Sequence, residues 1–268
     1  MNSDFPTSNA DLNAVLRELV TGAQAILGDN FIAAYLQGSF AVGDWDADSD
    51  VDFLIVIEHD TPESVVTALD AMHASLFRLE SPWAQHLEGS YFPRELLEHH
   101  DPTKTPILFL DNGSQRLIRS DHDNTVVVRW VVCEYGITLA GPPPGTLIAP
   151  ISATDLRREV HETMRDWAGD IFAGRYQITN NWAWPFAVLM YCRMLHSLQT
   201  GRVGSKPAGA AWAHNALDGQ WFGLIERAWA ERPNPSLKVR QKAAPADVEH
   251  TLAFIRYALD VSGQGAPS

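Results

Sequence analysis

Apolar positions divide the chain into two regimes. In the first half they gather in short runs rich in Val, Ile and Phe: FIAAYLQGS, VDFLIVIE, TPILFL and TVVVRWVV. Residues 31–37 and 50–58 predict buried strands, and 87–92 a third. Leu12, Val15, Leu16, Leu19, Ala23 and Ile26 share one face and predict an amphipathic helix over 11–27. Thr61-Pro62-Glu63 predicts another helix start, with Thr61 as N-cap and Pro62 at the first helical position. Helix and strand alternate, so this half reads as α/β.

Gly141-Pro142-Pro143-Pro144-Gly145 cannot continue a helix or a central strand. Beyond it the period turns helical. Leu156, Val160, Met164, Trp167 and Ile171 predict a helix over 155–173, ended by Gly174. Further helices are predicted over 184–200, from a cap at Ser205, over 220–230 and over 246–261. The boundary therefore falls near residue 150, with an α/β domain over 1–150 and an all-α bundle over 151–268. Six of the nine tryptophans fall in the second part and read as packing.

Composition narrows the function. A length of 268 residues suits two domains, at roughly 100–200 residues each. With 46% hydrophobic and 20% charged residues, the chain is globular rather than disordered. Cys133 and Cys192 sit in apolar runs, which predicts reduced, buried thiols. No run approaches the roughly 18 apolar residues of a membrane span, and the start lacks a signal-peptide layout, so a cytoplasmic protein without a membrane partner is expected. A net charge of −13 with only four lysines leaves no basic footprint for nucleic acid. It favours a cationic small molecule, although acidity also serves solubility.

The chemistry concentrates in GSFAVGDWDADSDVDFLIV, residues 38–56. Asp50 and Asp52 are two apart at the start of an apolar strand, so both carboxylates project from one face. Side by side they resist ionisation unless a cation sits between them. Mg²⁺ suits such a pair, completing its shell with phosphate and water oxygens. Gly38-Ser39, at the end of the preceding strand, offers close backbone approach and a hydroxyl to a phosphate. Alone, Gly-Ser is a turn and Asp-x-Asp a solvated loop. Their ordered combination with the apolar run FLIVI makes a phosphate cradle feeding a metal dyad the better reading. Glu88, on the strand predicted at 87–92, reads by itself as an exposed strand-end glutamate; the other reading is a third carboxylate near the metal, where a base for a hydroxyl proton is needed. No zinc spacing, GxSxG or GxGxxG occurs.

This stretch resembles the signature of the DNA polymerase β-type nucleotidyltransferase superfamily. LEGSYFPRELL, CEYGITLAGP and CRMLHSLQTGRVGSKPAGAAWA further resemble segments of aminoglycoside adenylyltransferases of the streptomycin/spectinomycin type, over residues 30 to 215. The resemblance implies an N-terminal nucleotidyltransferase domain, a mixed sheet with flanking helices, followed by a C-terminal helical bundle, with the active site between them. It implies that Asp50 and Asp52 hold Mg²⁺ with Glu88 as third carboxylate and catalytic base. Gly38, Ser39 and Ser49 then meet the triphosphate of ATP, the co-substrate, and Arg193 and Lys206 its phosphates. The expected reaction is AMP transfer to a hydroxyl of a small cationic molecule, an aminoglycoside at the level of the family, by a monomer.

The family's streptomycin-modifying members carry an acidic residue and a tryptophan where this chain reads ITNNWAWPF and FLDNGSQRL. Trp182 or Trp184 could supply a stacking surface instead, and Asp170 or Asp111 an anionic contact. A protein or metabolite acceptor, or an ATP-binding sensor without turnover, stands as the alternative.

Overall fold

A computed structural model gives the structure of the chain and describes residues 6–264. The chain divides into two units, one up to Ile151 and one from Ser152.

In the first unit, β1 (Phe31–Leu36), β2 (Val51–Ile57), β3 (Leu87–Pro93), β4 (Ile107–Leu110), β5 (Leu117–Ser120) and β6 (Ile137–Ala140) form one sheet. Its order is β5-β4-β3-β2-β1-β6. Only β2 and β3 run parallel; the other neighbours are antiparallel, which makes the sheet mixed. Helices α1 (Ala10–Leu27), α2 (Gly38–Val42), α3 (Glu63–Leu76), α4 (Arg94–Glu98) and α5 (Val126–Tyr135) complete the unit.

Side chains alternate across β2 and serve two cores. Phe53, Ile55 and Ile57 join Leu12, Leu16, Leu19 and Leu69 of α1 and α3 on one face. Leu54 and Val56 join Phe92 and Val132 of α5 on the other. A strand buried on both faces reads as an unbroken apolar run, which is why FLIVI shows no alternation.

One apolar run left unassigned finds its element, and one local expectation is corrected. TVVVRWVV belongs to helix α5, although it is β-branched: the Thr125 side chain caps it by accepting from the Val128 amide, and packing overrides propensity. Arg129 holds that position, donating to the Leu97, Thr125 and Leu96 carbonyls and to Asn124. Thr61 is not an N-cap. Helix α3 begins at Glu63 with Pro62 in the cap position and no side-chain cap, and the Thr61 hydroxyl is buried without a partner.

The second unit comprises α6 (Ala153–Phe172), α7 (Ala183–Thr200), α8 (Lys206–Ala216), α9 (Phe222–Glu231), α10 (Pro235–Lys238) and α11 (Pro245–Gln264). Helix α7 is its axis, packed against α6, α8, α9 and α11. Trp184, Ala187, Val188, Tyr191 and Cys192 of α7 are buried, and Tyr191 donates to the Met164 carbonyl of α6 at 2.9 Å. Ser205 caps α8 by accepting from the Ala208 amide. Both cysteines are free; Cys192 is buried and Cys133 half-buried. Among the described residues no helix is long and apolar enough to cross a membrane.

Arg129→Met leaves the α4 carbonyls without donors and is expected to destabilise the protein by about 3 kcal/mol. Arg94→Met, which removes an exposed pair with Glu58, is expected to cost under about 1 kcal/mol. Thermal melts of the two variants read the contrast.

Candidate active site

The site is built where β1 hands the chain to β2. The Gln37 amide donates to the Asp52 carbonyl at 2.8 Å, locking the two strand ends together. Gly38 follows with φ 63, and a Cβ there would lie 1.9 Å from Asp52 Oδ2. Only glycine lets the Asp52 carboxylate lie against the turn. The chain then enters α2, closed by Gly43 in the left-handed region. Ser39 stands in the first turn of α2, and its hydroxyl is buried without a hydrogen-bond partner. A buried hydroxyl of this kind lacks the partner that such groups ordinarily have, which fits an anion-binding cradle.

Asp50 lies one residue before β2 rather than in the strand, and it accepts a hydrogen bond from Asn112 in the β4–β5 connection. Asp52 lies within β2, directly opposite Glu88 in the parallel register. Ser49 braces its own loop, accepting from the Asp46 amide at 2.9 Å and donating to its carboxylate at 3.3 Å.

Glu88 is 21% exposed. Burial, then the charges of Asp52, Asp50, Asp123 and Asp111, push its carboxyl up from 4.5 to about 8. Ser90 shares its face of β3 and donates to Asp123 at 2.6 Å; burial raises the Asp123 carboxyl as well, against the Ser90 hydrogen bond. His122 Nε2 lies 3.8 Å from Glu88 Oε1, and its ring rests 5.0 Å from that of Phe109.

The donors are oxygens and the charge is strongly negative, a set that suits a hard divalent cation. The expected shell of Asp50, Asp52 and Glu88 is not preformed: among the described residues no three His, Cys, Asp or Glu side chains are grouped to hold a metal ion. Two aspartates plus substrate and water oxygens are the usual complement for magnesium, which keeps several waters.

Gly38, Ser39, Asp50, Asp52 and Glu88 thus share one end of the first unit's sheet. Arg193 and Lys206 belong to the second unit. Arg193 donates to the Gly204 carbonyl at 2.9 Å, and Lys206 lies 5.5 Å from the Phe186 ring centre. Trp182 stacks on that same ring at 5.1 Å. Trp184 is 1% exposed, too buried to offer an open stacking face, and Asp170 is paired with Arg175 at 2.7 Å. Asn112, His122 and Asp123 had no signal in the sequence. They lie 24 or more positions beyond Glu88, and the β3-β4-β5 meander brings Asn112 to Asp50 and His122 and Asp123 to Glu88.

A nucleotidyltransferase domain model matches residues 17–101. The model described as aminoglycoside adenylyltransferase, C-terminal domain, matches residues 146–258. The chain is 23% identical over 213 residues to a Staphylococcus aureus spectinomycin 9-adenylyltransferase, covering 75% of this chain and 77% of that one. It is 24% identical over 231 residues to an Escherichia coli aminoglycoside (3'') (9) adenylyltransferase, covering 81% and 83% respectively. The fold matches the crystal structure of spectinomycin adenyltransferase AAD(9) from Enterococcus faecialis with ATP and spectinomycin. The TM-score is 0.68 at 14% identity, over 92% of this chain and 98% of that chain.

A carboxyl raised by folding from 4.5 to about 8 costs no stability below the lower value. The cost grows as pH rises and is complete above the upper one. Glu88→Gln is therefore expected to raise the melting temperature of the metal-free protein at about pH 9 by several degrees, with little change at about pH 4. Calorimetric scans at the two pH values read the difference.

Proposed function

The chain belongs to the aminoglycoside adenylyltransferases, a family of nucleotidyltransferase enzymes, and from that premise we propose that it moves AMP from ATP to a hydroxyl of an aminoglycoside. Pyrophosphate leaves, and a magnesium ion assists. The observation that carries this reading is the pairing of Asp52 with Glu88 across β2 and β3, beside the turn that Gly38 keeps open.

Each residue has a task. Asp50 and Asp52 hold the cation, with Asn112 orienting the Asp50 carboxylate. When bound, the cation neutralises the triphosphate and polarises the α-phosphoryl oxygens. The Ser39 hydroxyl meets a phosphate oxygen, and the loop braced by Ser49 carries Asp50 to its place. Glu88, whose carboxyl burial and its acidic neighbours push up and which a bound cation would return to the ionised form, takes the proton from the acceptor hydroxyl as its oxygen attacks the α-phosphorus. The bond from that phosphorus to the bridging oxygen breaks, and both electrons go to pyrophosphate. Arg193 and Lys206 bind phosphate oxygens of the nucleotide, an assignment supported by their positions in the segment CRMLHSLQTGRVGSKP. The surplus of carboxylates at the end of the sheet attracts a cationic acceptor. Most of the acceleration then comes from positioning and fixed charge.

Incubation with ATP, magnesium and a panel of aminoglycosides is expected to release pyrophosphate and add one AMP to the drug, read by mass spectrometry. AMP found on a protein or metabolite instead would change the acceptor. Tight ATP binding with no pyrophosphate under any acceptor would make the chain a sensor. Glu88→Gln is expected to lower kcat by at least about a hundredfold while leaving ATP affinity within a few-fold. Replacing Arg193 and Lys206 by Met is expected to weaken ATP affinity instead, which equilibrium binding measures.

A further inference from the structure

Phe186, Met190 and Arg193 follow one another at spacings of four and three on α7 and so share one of its faces. All three are partly exposed, whereas Trp184, Val188 and Tyr191 of the same helix are buried. Helix α8 crosses that face closely. A Cβ at Gly209 would lie 2.9 Å from the Arg193 Cα and Cγ atoms, nearer than a side chain tolerates, so glycine lets the two helices meet there. Lys206 stands three residues before Gly209, on the same side of α8, and is thereby turned towards α7.

The two cations are held differently. Arg193 Nε donates to the Gly204 carbonyl at 2.9 Å, and its Nη1 lies 3.5 Å from the Met190 sulfur. Lys206 meets an aromatic face: its Nζ lies 5.5 Å from the centre of the Phe186 ring, within the roughly 6 Å over which a ring attracts a cation. That ring is itself fixed. Trp182 stacks on it at 5.1 Å, with 14° between the planes, and Trp167 meets it edge-on at 6.0 Å. A lysine stem is long and flexible. A ring locked by two indoles gives its ammonium a preferred place, and it does so without supplying a countercharge.

Given the nucleotide role of Arg193 and Lys206 above, on which this rests, we propose that Phe186 is a positioning residue for nucleotide binding. Its ring, fixed by Trp182 and Trp167, places the Lys206 ammonium on the α7 face that carries Arg193, so that the two cations meet the phosphates of ATP together.

The test uses the full-length chain labelled with ¹³C at the lysine ε-carbons, which gives one signal for each of the four lysines. Lys206→Met identifies the signal of Lys206. In the ligand-free protein the Phe186 ring current is expected to hold its ε-protons upfield, and Phe186→Leu to move them downfield. Equilibrium binding of ATP with magnesium reads the consequence. Phe186→Leu is expected to weaken affinity about two- to fivefold, the strength of a cation–π contact at a partly exposed site, and to raise KM for ATP more than it lowers kcat. Phe186→Tyr, which keeps the ring face, is expected to retain the affinity. In a Lys206→Met background, Phe186→Leu is expected to cost no further affinity. An ε-signal indifferent to Phe186→Leu, or an equal loss of affinity with and without Lys206, would overturn the positioning role. Unchanged affinity in Lys206→Met alone would remove the nucleotide role and overturn the proposal with it, a failure told apart by an ε-signal that still answers to Phe186→Leu.

Discussion

Everything at this site depends on like charges being held together against their repulsion. Asp52 and Glu88 are neighbours because β2 and β3 are parallel and in register. Asp50 is pinned by Asn112, and Asp123 by Ser90. Asp123 cannot move away without breaking a buried hydrogen bond, and the backbones of Asp52 and Glu88 stay neighbours for as long as β2 and β3 are paired. The sheet supplies the energy that crowding costs, and a cation recovers part of it. The same crowding raises the Glu88 carboxyl, and under the proposed function the feature that would attract a cation and a cationic acceptor is the one that sets the proton affinity of the proposed base.

Much of this was legible in the residues because the relevant signals are local. Gly38, Asp50 and Asp52 lie within fifteen positions, and the apolar run after them marks β2. The long helices α1, α6 and α7 carry periodicity strong enough to be read directly. Glu88 could be placed because a strand was legible at 87–92. What stayed hidden is non-local. His122 and Asp123 follow β5, and only its antiparallel pairing with β4, and that of β4 with β3, returns them to Glu88. No spacing rule encodes that return.

One unassigned run and one misreading have plain causes. The run TVVVRWVV is β-branched, yet a Thr125 cap and the buried Arg129 fix it as a helix. Thr61 precedes Pro62, and the proline, with ψ 159, occupies the cap itself and displaces Thr61 from it. In both cases one side chain or one ring decided the outcome over the average preference of the segment. The acidic loop shows the opposite case: Asp50 stands outside the strand, because Ser49 and Asp46 close a turn just before it.

The central claim is that folding forces Glu88 into a basic state that a cation relieves. Following its side-chain carboxyl carbon by NMR across pH, with and without magnesium and a non-hydrolysable ATP analogue, measures this directly. The account predicts a midpoint near 8 in the metal-free protein and a fall towards the ordinary glutamate range when nucleotide and cation bind. A midpoint already close to 4.5 without metal, and unmoved by nucleotide and cation, would contradict it.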